Sequence, residues 1–245
     1  MEPRRGSQPV NGSCYINEFR PLAKTFYGRN AIAQHNLPPF IDASCRREPD
    51  LESKLPSITA LCREDHWAPR LREGDLVAYM TKDFVYPQET ESTRRLVAVL
   101  RVKKSWLRHR SQRGLEAHAQ AAEWYRKQNL PVPSNCMVSS EGRMPLDQTD
   151  RDNPIPDDWD AVYRLRAIRC GAFHACEKIF CDVHDPPRLT NRQLVAWFRT
   201  IPDTWRLPPL PAADFAKLLR WLAGPTLDPT SASLLKALVA ELTTA

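Results

Sequence analysis

Glycine is scarce in this chain, and the best-known glycine-rich phosphate loops are missing. Only 8 of the 245 residues are glycine. No segment reads G-x-x-x-x-G-K-[ST] or G-x-G-x-x-G, which excludes a P-loop and a simple Rossmann fingerprint. The longest strongly apolar run, 96–100, is far shorter than the roughly 20 residues that span a bilayer. We therefore expect neither a membrane protein nor a standard nucleotide-loop enzyme.

Disulfide and export signals are equally sparse. The chain has 7 cysteines, an odd number, and they are scattered without a C-x-x-C pair. A secreted disulfide framework would be short and would hold an even set. Residues 1–6 lack the apolar core of a signal peptide. These features predict a cytoplasmic protein with reduced thiols. No cofactor is expected.

Acidic residues are absent from 92–115, the one strongly basic segment. The chain carries a formal charge of +6, and this segment alone holds eight basic residues, so the remainder is close to neutral. They are Arg94, Arg95, Arg101, Lys103, Lys104, Arg108, Arg110 and Arg113. Such a segment is suited to contacts with nucleic-acid phosphates, and Trp106 or His109 can stack on a base. A solvated basic face, or packing against the acidic residues 147–160, explains the same pattern.

Hydrophobic periodicity predicts an α+β protein with a mostly antiparallel sheet. The predicted strands are 13–19, 76–81, 96–102, 163–170 and 172–180. The predicted helices are 56–64, 114–128, 191–200, 211–223 and 231–242, and 25–35 is a loop or a short helix. The expected organisation is a disordered leader (1–12), an α+β body (13–187) and a helical extension (188–245). If the tryptophans of the extension are exposed, they would support docking of a protein partner.

The most unusual stretch, 42–52, combines two guanidinium groups, four carboxyl groups and a thiol. The arginines can clamp an anion, and a carboxylate can act as a general base or accept hydrogen bonds from a base edge. The candidate catalytic residues are Glu48, Asp50, Glu52 and the nucleophile Cys45. The candidate ligand-binding residues are Ser44, Arg46, Arg47, Glu48, Arg63, Tyr79 and Asn135. An arginine–carboxylate lattice that pins a loop is the structural alternative, and Asn135 can instead cap a turn.

Two further sets of residues carry weaker signals. The first contains zinc-ligand types without the spacing of a known finger: Cys170, His174, Cys176, Cys181 and His184. Their apolar neighbours favour a core strand, so no metal is expected. The second could supply a hydrolase triad: Ser44, Ser57, His66 and Asp75. It lacks the G-x-S-x-G elbow, which favours chance co-occurrence.

Several segments together resemble the nucleotide-modification-associated domains of bacteria and phages. They are 42–52 (DASCRREPDLE), 56–63 (PSITALCR), 74–75 (GD), 79–81 (YMT), 95–102 (RLVAVLRV) and 130–138 (LPVPSNCMV). The resemblance covers roughly residues 13–187. The layout is also similar to PUA-like barrels, the group that contains the EVE, YTH and ASCH domains, although the ASCH motif Gly-x-Lys-x-x-Glu-x-Arg and a Trp-rich signature are missing.

This resemblance implies a small PUA-like barrel that recognises RNA or modified DNA bases in an aromatic or polar pocket. Tyr79 or Trp106 would then stack on a flipped base. The expected partner is DNA, RNA or a nucleotide, in a DNA-modification or phage-defence context. An enzyme acting on modified nucleotides or nucleosides, with a carboxylate base and an arginine clamp, is the first alternative. An adaptor that binds a protein through residues 188–245 is the second.

Overall fold

A computed structural model describes residues 12–44, 46–61, 67–86, 89–108, 114–139, 156–203, 208–224 and 229–244. Within these ranges the chain forms a curled six-stranded sheet with α-helices packed against it. None of the described helices has both the length and the apolar character needed to cross a bilayer.

The sheet is mixed. Its strands are β1 (Cys14–Phe19), β2 (Ser57–Thr59), β3 (Leu76–Thr81), β4 (Arg94–Leu107), β5 (Ala172–Cys181) and β6 (Arg188–Leu189). The order is β1-β3-β4-β5-β2, with β6 beside the start of β4. The α+β prediction is confirmed. Four of the five strand pairs are antiparallel, whereas β1 and β3 run parallel. A parallel pair needs a long crossover, which residues 20–75 supply.

Six α-helices fall within the described residues. They are α1 (Phe26–His35), α2 (Leu115–Lys127), α3 (Pro156–Arg169), α4 (Asn191–Phe198), α5 (Ala212–Leu222) and α6 (Pro229–Thr244). The start of α4 is a capping box, in which the Gln193 amide donates to Thr190 Oγ1 and the Thr190 amide donates to Gln193 Oε1. Helix α4 therefore begins where its sequence predicts.

The helix predicted over 56–64 is wrong, because Ser57–Thr59 form β2. This strand pairs with β5 and places Ile58 opposite His174. All three of its residues are buried, and two of them are β-branched, which favours an extended backbone over a helix. Tertiary pairing has overridden the local helical pattern.

The strand predicted over 163–170 is also wrong, because residues 163–169 belong to helix α3. Tyr163, Ala167 and Cys170 are buried, whereas Leu165 is 59% and Ile168 38% exposed. The buried positions follow the spacing i, i+4, i+7 of a helix face. The alternation in the sequence misleads because two of its apolar residues lie on the solvent side.

Helices α4, α5 and α6 cover one face of the sheet. Their buried side chains share a hydrophobic cluster with Ile16, Leu76, Leu96 and Val99 of the strands. The helical contributors are Leu194, Phe215, Ala216, Leu218, Leu219, Leu222, Leu235, Leu238 and Leu242. Trp197 and Trp221 are half-buried against this cluster with ring centroids 5.4 Å apart, and Trp205 lies outside the described residues.

The start of α2 meets the end of α3 through two glycines. A Cβ added to Gly114 would lie 1.9 Å from the Ala167 carbonyl oxygen, and one added to Gly171 would lie 2.5 Å from Gly114 Cα. We expect Gly114→Ala to lower the free energy of unfolding by roughly 2–3 kcal/mol, because backbone would have to move. Urea unfolding measures this. Gly224→Ala is the control, since its new Cβ would lie 3.1 Å from the nearest atom; equal losses would contradict the prediction.

Candidate functional site

A cavity of about 320 Å³ opens between the two ends of the curled sheet. Its lining residues are Asn17, Glu18, Phe19, Arg20, Asp42, Glu48, Thr59, Trp67, Tyr79 and Lys82. Strands β1 and β2 lie at opposite ends of the strand order, yet Asn17 and Thr59 line the same space. The curl of the sheet therefore creates the cavity. Its volume is at the small end of ligand pockets, which hold roughly 300–1,000 Å³.

Three aromatic rings form one wall of the cavity. Tyr79 on β3 lies between Phe19 of β1 and Trp67, with ring centroids 6.3 Å from each. The parallel register of β1 and β3 places Asn17 opposite Tyr79. An amide and an aromatic wall are thus held together on rigid strands.

Glu48 is held on the other side of the cavity by three hydrogen bonds. Its Oε1 accepts from the Thr59 amide at 2.7 Å, and its Oε2 accepts from Thr59 Oγ1 at 2.5 Å and from Asn135 Nδ2 at 3.0 Å. Asn135 is anchored in turn, because its Oδ1 accepts from Ser57 Oγ at 2.5 Å. Both ends of β2 therefore orient this carboxyl group.

Asp42 is the second carboxyl group of the cavity. Its Oδ2 accepts from the amide of Ser44 at 2.8 Å, from the hydroxyl of Ser44, and from the amide of Glu48 at 3.1 Å. These bonds fold the 42–48 loop around one oxygen. Asp42 therefore sets the position of Glu48 through the backbone as well as lining the cavity itself.

Burial raises the pKa of both carboxyl groups. The pKa of Asp42 is raised to about 6 by desolvation, which its hydrogen bonds from Ser44 and nearby amides only partly oppose. Desolvation raises the pKa of Glu48 to about 8 against the bonds from Thr59 and Asn135, and the charge of Asp42 adds to the rise. At neutral pH, Asp42 is mainly ionised and Glu48 mainly protonated. Carboxyl pairs with separated pKa values mark many functional sites.

Two buried polar atoms on the cavity wall lack a hydrogen-bond partner within the described part of the chain. They are Asn17 Oδ1 and Trp67 Nε1, and each of these residues is 3% exposed. An orphaned buried acceptor or donor costs roughly 1–3 kcal/mol. Native proteins rarely keep such groups without a ligand or water to satisfy them.

A buried network behind the cavity supports it. Asp50 accepts from the Ser134 amide at 2.7 Å and from Ser134 Oγ at 2.8 Å, and Arg46 Nη1 donates to the carbonyls of Ser134 at 3.0 Å and Ser139 at 2.9 Å. Arg46 is 3% exposed and does not line the cavity. The network fixes the segment that carries Asn135, and its arginine holds backbone carbonyls.

The other candidates from the 42–52 stretch are outside the cavity lining. Arg47 Nη1 forms a 2.5 Å ion pair with Glu52, and the pKa of Glu52 is raised by burial, with Arg47 opposing. Ser44 contributes indirectly, because it donates to Asp42 and its Oγ accepts from the Glu48 amide at 3.3 Å. Cys45 and Arg63 lie outside the described residues. Of the predicted site residues, the structure brings together Glu48, Tyr79 and, in support, Asn135.

The basic segment does not form a continuous exposed face. Arg94 Nε lies 2.6 Å from Glu18, Arg95 pairs with Glu89, and Arg101 lies 3.5 Å from Glu241. Both Arg94 and Arg95 are buried. Glu18 and Glu241 are distant from their arginines in sequence, and Glu89 lies just before the basic segment, so the charge run hides the pairing.

The far end of β4 keeps the more accessible cations. Lys103 is exposed, Lys104 is half-buried, and Arg108 Nη2 lies 3.4 Å from Glu116. Trp106 packs edge-on against Trp124 and Phe173, and the Lys104 ammonium lies 5.7 Å from its ring centre. His109, Arg110 and Arg113 lie outside the described residues. The described part of this segment thus offers a small basic surface, and the Trp106 ring on it is already packed against neighbouring side chains.

In the two residue sets with weaker sequence signals, the zinc-ligand types and the possible hydrolase triad, side chains make structural contacts. His174 Nδ1 lies 2.8 Å from Ser105 Oγ, and its Nε2 lies 2.8 Å from the Ala68 carbonyl. Among described residues no group of three potential metal ligands forms. Ser57 bonds to Asn135, and Asp75 accepts from the amides of Ser13 and Arg72. His66 is outside the described residues.

Sequence reasoning missed Asn17, Thr59 and Trp67. Each is unremarkable in its local segment, and each acquires a role only when the sheet curls. One local signal existed: Asn17 alternates with Tyr15 and Phe19, so it lies on an otherwise aromatic face of the predicted strand. A buried asparagine in such a strand needs a partner, and this requirement marks it as a candidate.

Comparisons with known proteins add no family to this description. The chain matches no protein-family model, no curated protein and no solved structure. The resemblance to nucleotide-modification-associated domains and PUA-like barrels therefore stays an expectation, and the cavity is interpreted from its own chemistry.

Proposed function

We propose that the chain binds a single nucleobase, either of a free nucleotide or flipped out of DNA or RNA, in the cavity between the ends of the sheet. The observation that carries this proposal is the combination of orphaned polar atoms with an aromatic wall. A flat heterocycle supplies edge groups for Asn17 and Trp67 and a π-face for the rings. The small volume suits one base.

Positive charge at the cavity supports a phosphorylated ligand. Arg20 and Lys82 line the cavity. Burial lowers the pKa of Lys24, and the charges of Lys82 and Arg20 lower it further, with Glu18 and Asp83 opposing. Three cations thus act on one another close to this opening. We expect these cations to contact the phosphate of the ligand, which the buried Arg94 and Arg95 do not.

Calorimetric titration tests the proposal with the four nucleoside 5′-monophosphates and with short plain and base-modified oligonucleotides, at two salt concentrations. We expect salt-sensitive binding. We also expect Asn17→Leu to weaken it at least about 10-fold, because an amide contact to a base is worth about 1–3 kcal/mol. Asn30→Leu on the exposed face of α1 is the matched control. Absence of binding to every probe would reject the proposal.

The two cavity carboxyl groups favour one alternative, an enzyme that acts on the bound nucleotide. A protonated Glu48 can serve as general acid while an ionised Asp42 serves as base. Chromatography of the titrated ligands after incubation distinguishes the two functions. In an enzyme, ligand is converted and Glu48→Gln stops the conversion while the fold remains; in a binding module, the ligand is recovered unchanged.

A further inference from the structure

The hydrogen-bonding groups of the cavity define what edge a ligand must present. The Asn17 side chain combines an acceptor with a donor, the pair that reads an amino group beside a ring nitrogen. Asp42 accepts its Ser44 and Glu48 hydrogen bonds through Oδ2 alone. Its second oxygen is an additional acceptor when the group is ionised. Trp67 Nε1 adds a donor.

Two acceptors of this kind call for two N–H donors on the ligand. Resting on the proposed function, we infer that the cavity selects bases in which an amino group adjoins a ring nitrogen, such as cytosine and adenine, over their keto counterparts uracil and hypoxanthine. One amino group offers two hydrogens, one for Asn17 Oδ1 and one for Asp42. The ring nitrogen accepts from Trp67 or from the Asn17 amide.

Asp42 is the residue that discriminates. An asparagine amide can pair with either edge, because a keto oxygen beside N–H is its complement as well. A carboxylate cannot donate, so a keto oxygen placed against Asp42 faces another acceptor and leaves the second carboxylate oxygen without a donor from the ligand. Burial in the cavity makes that mismatch costly.

The inference is tested with matched pairs of nucleotides that differ mainly in this group: CMP against UMP, and AMP against IMP. At pH 7.5 we expect the amino member of each pair to bind at least about 10-fold more tightly, the discrimination typical of one good base contact. Asp42→Asn supplies a donor, and we expect it to reduce the ratio to near one or to invert it.

A second variant keeps the test decisive if Asp42→Asn does not fold. Asn17→Leu removes an amide that can pair with either edge, so it should weaken the binding of CMP and UMP to a similar extent and leave the ratio of their affinities nearly unchanged. A ratio that falls to one in this variant would assign the discrimination to Asn17 and overturn the role of Asp42. Wild-type protein that binds UMP and IMP as tightly as CMP and AMP overturns the inference while the proposed function stands. If no nucleotide binds, both the inference and the proposed function are rejected.

Discussion

Replacing Asp50 by alanine should lower the free energy of unfolding by about 3–5 kcal/mol, the cost typical of breaking a buried charged network. Asp50 is buried and accepts the Ser134 bonds together with those from the amides of Glu52 and Ser53, both at 3.1 Å. Alanine would leave several buried donors without an acceptor, and each orphan costs roughly 1–3 kcal/mol.

Urea unfolding at neutral pH measures this loss. Asp50→Asn keeps the shape and one acceptor oxygen, so its loss should be intermediate. Glu123→Ala is the control for removing a carboxylate, because Glu123 forms an exposed i,i+4 pair with Lys127 that contributes little. If Asp50→Ala is as mild as Glu123→Ala, then the network does not hold the 50–53 loop to the segment around Ser134.

The protein should also lose stability as the pH rises from 6.5 to 8.5. The ordinary pKa of a glutamic acid is 4.5, and that of Glu48 in the folded chain is about 8. In this window the folded state therefore keeps a proton that the unfolded state has released, so stability falls with increasing pH. Each pKa unit corresponds to about 1.4 kcal/mol, which gives a decrease on the order of 2 kcal/mol over the window.

The limits of this window follow from other buried groups. Burial lowers the pKa of His118 to about 3 and that of His174 to about 4, so these residues make stability rise with pH up to about 6.5 and not beyond. Burial raises the pKa of Cys181 from 9.0 to about 11, so this thiol begins to lower stability only as the pH approaches 9, where the unfolded thiol ionises. Stability should therefore be greatest near pH 6–7.

Glu48→Gln provides the control for this profile, because an amide has no charge to lose. Unfolding free energies of both proteins, measured by urea denaturation at closely spaced pH values, should diverge in slope above pH 6.5, with the variant nearly flat. A wild-type profile that is flat, or that rises to pH 8.5, would show that the Glu48 pKa is not raised.

Sequence patterns were sufficient where one segment carries the whole signal. The sequence of β3 alternates, and the centre of β4 is continuously apolar. The N-cap residue Thr190 marks the start of α4. Patterns failed for β2 and α3, because a three-residue strand is defined by its partner β5 and because exposed Leu165 and Ile168 imitate an alternating strand. The parallel pairing of β1 with β3 has no local signal at all.

The candidate site shows the same division. The 42–52 stretch stands out in the sequence, but only the fold separates its two layers: Asp42 and Glu48 line the cavity, while Arg46 and Asp50 brace it from behind. A list of charged residues cannot show which arginines are neutralised. Arg95 resembles a phosphate ligand until Glu89 and the rings of Phe40 and Tyr86, 5.7 and 5.2 Å from its guanidinium carbon, are seen around it.

The way the cavity is assembled has a consequence for how the chain folds. Its wall takes Asn17 from β1, Glu48 from the loop, Trp67 and Tyr79 from around β3, and a brace, Asn135, far along the chain. Contacts between segments so far apart in sequence form slowly, because loop closure comes first. Most of the chain must therefore leave the ribosome before the cavity can form. Ligand binding by a nascent chain would show that the whole sheet has assembled.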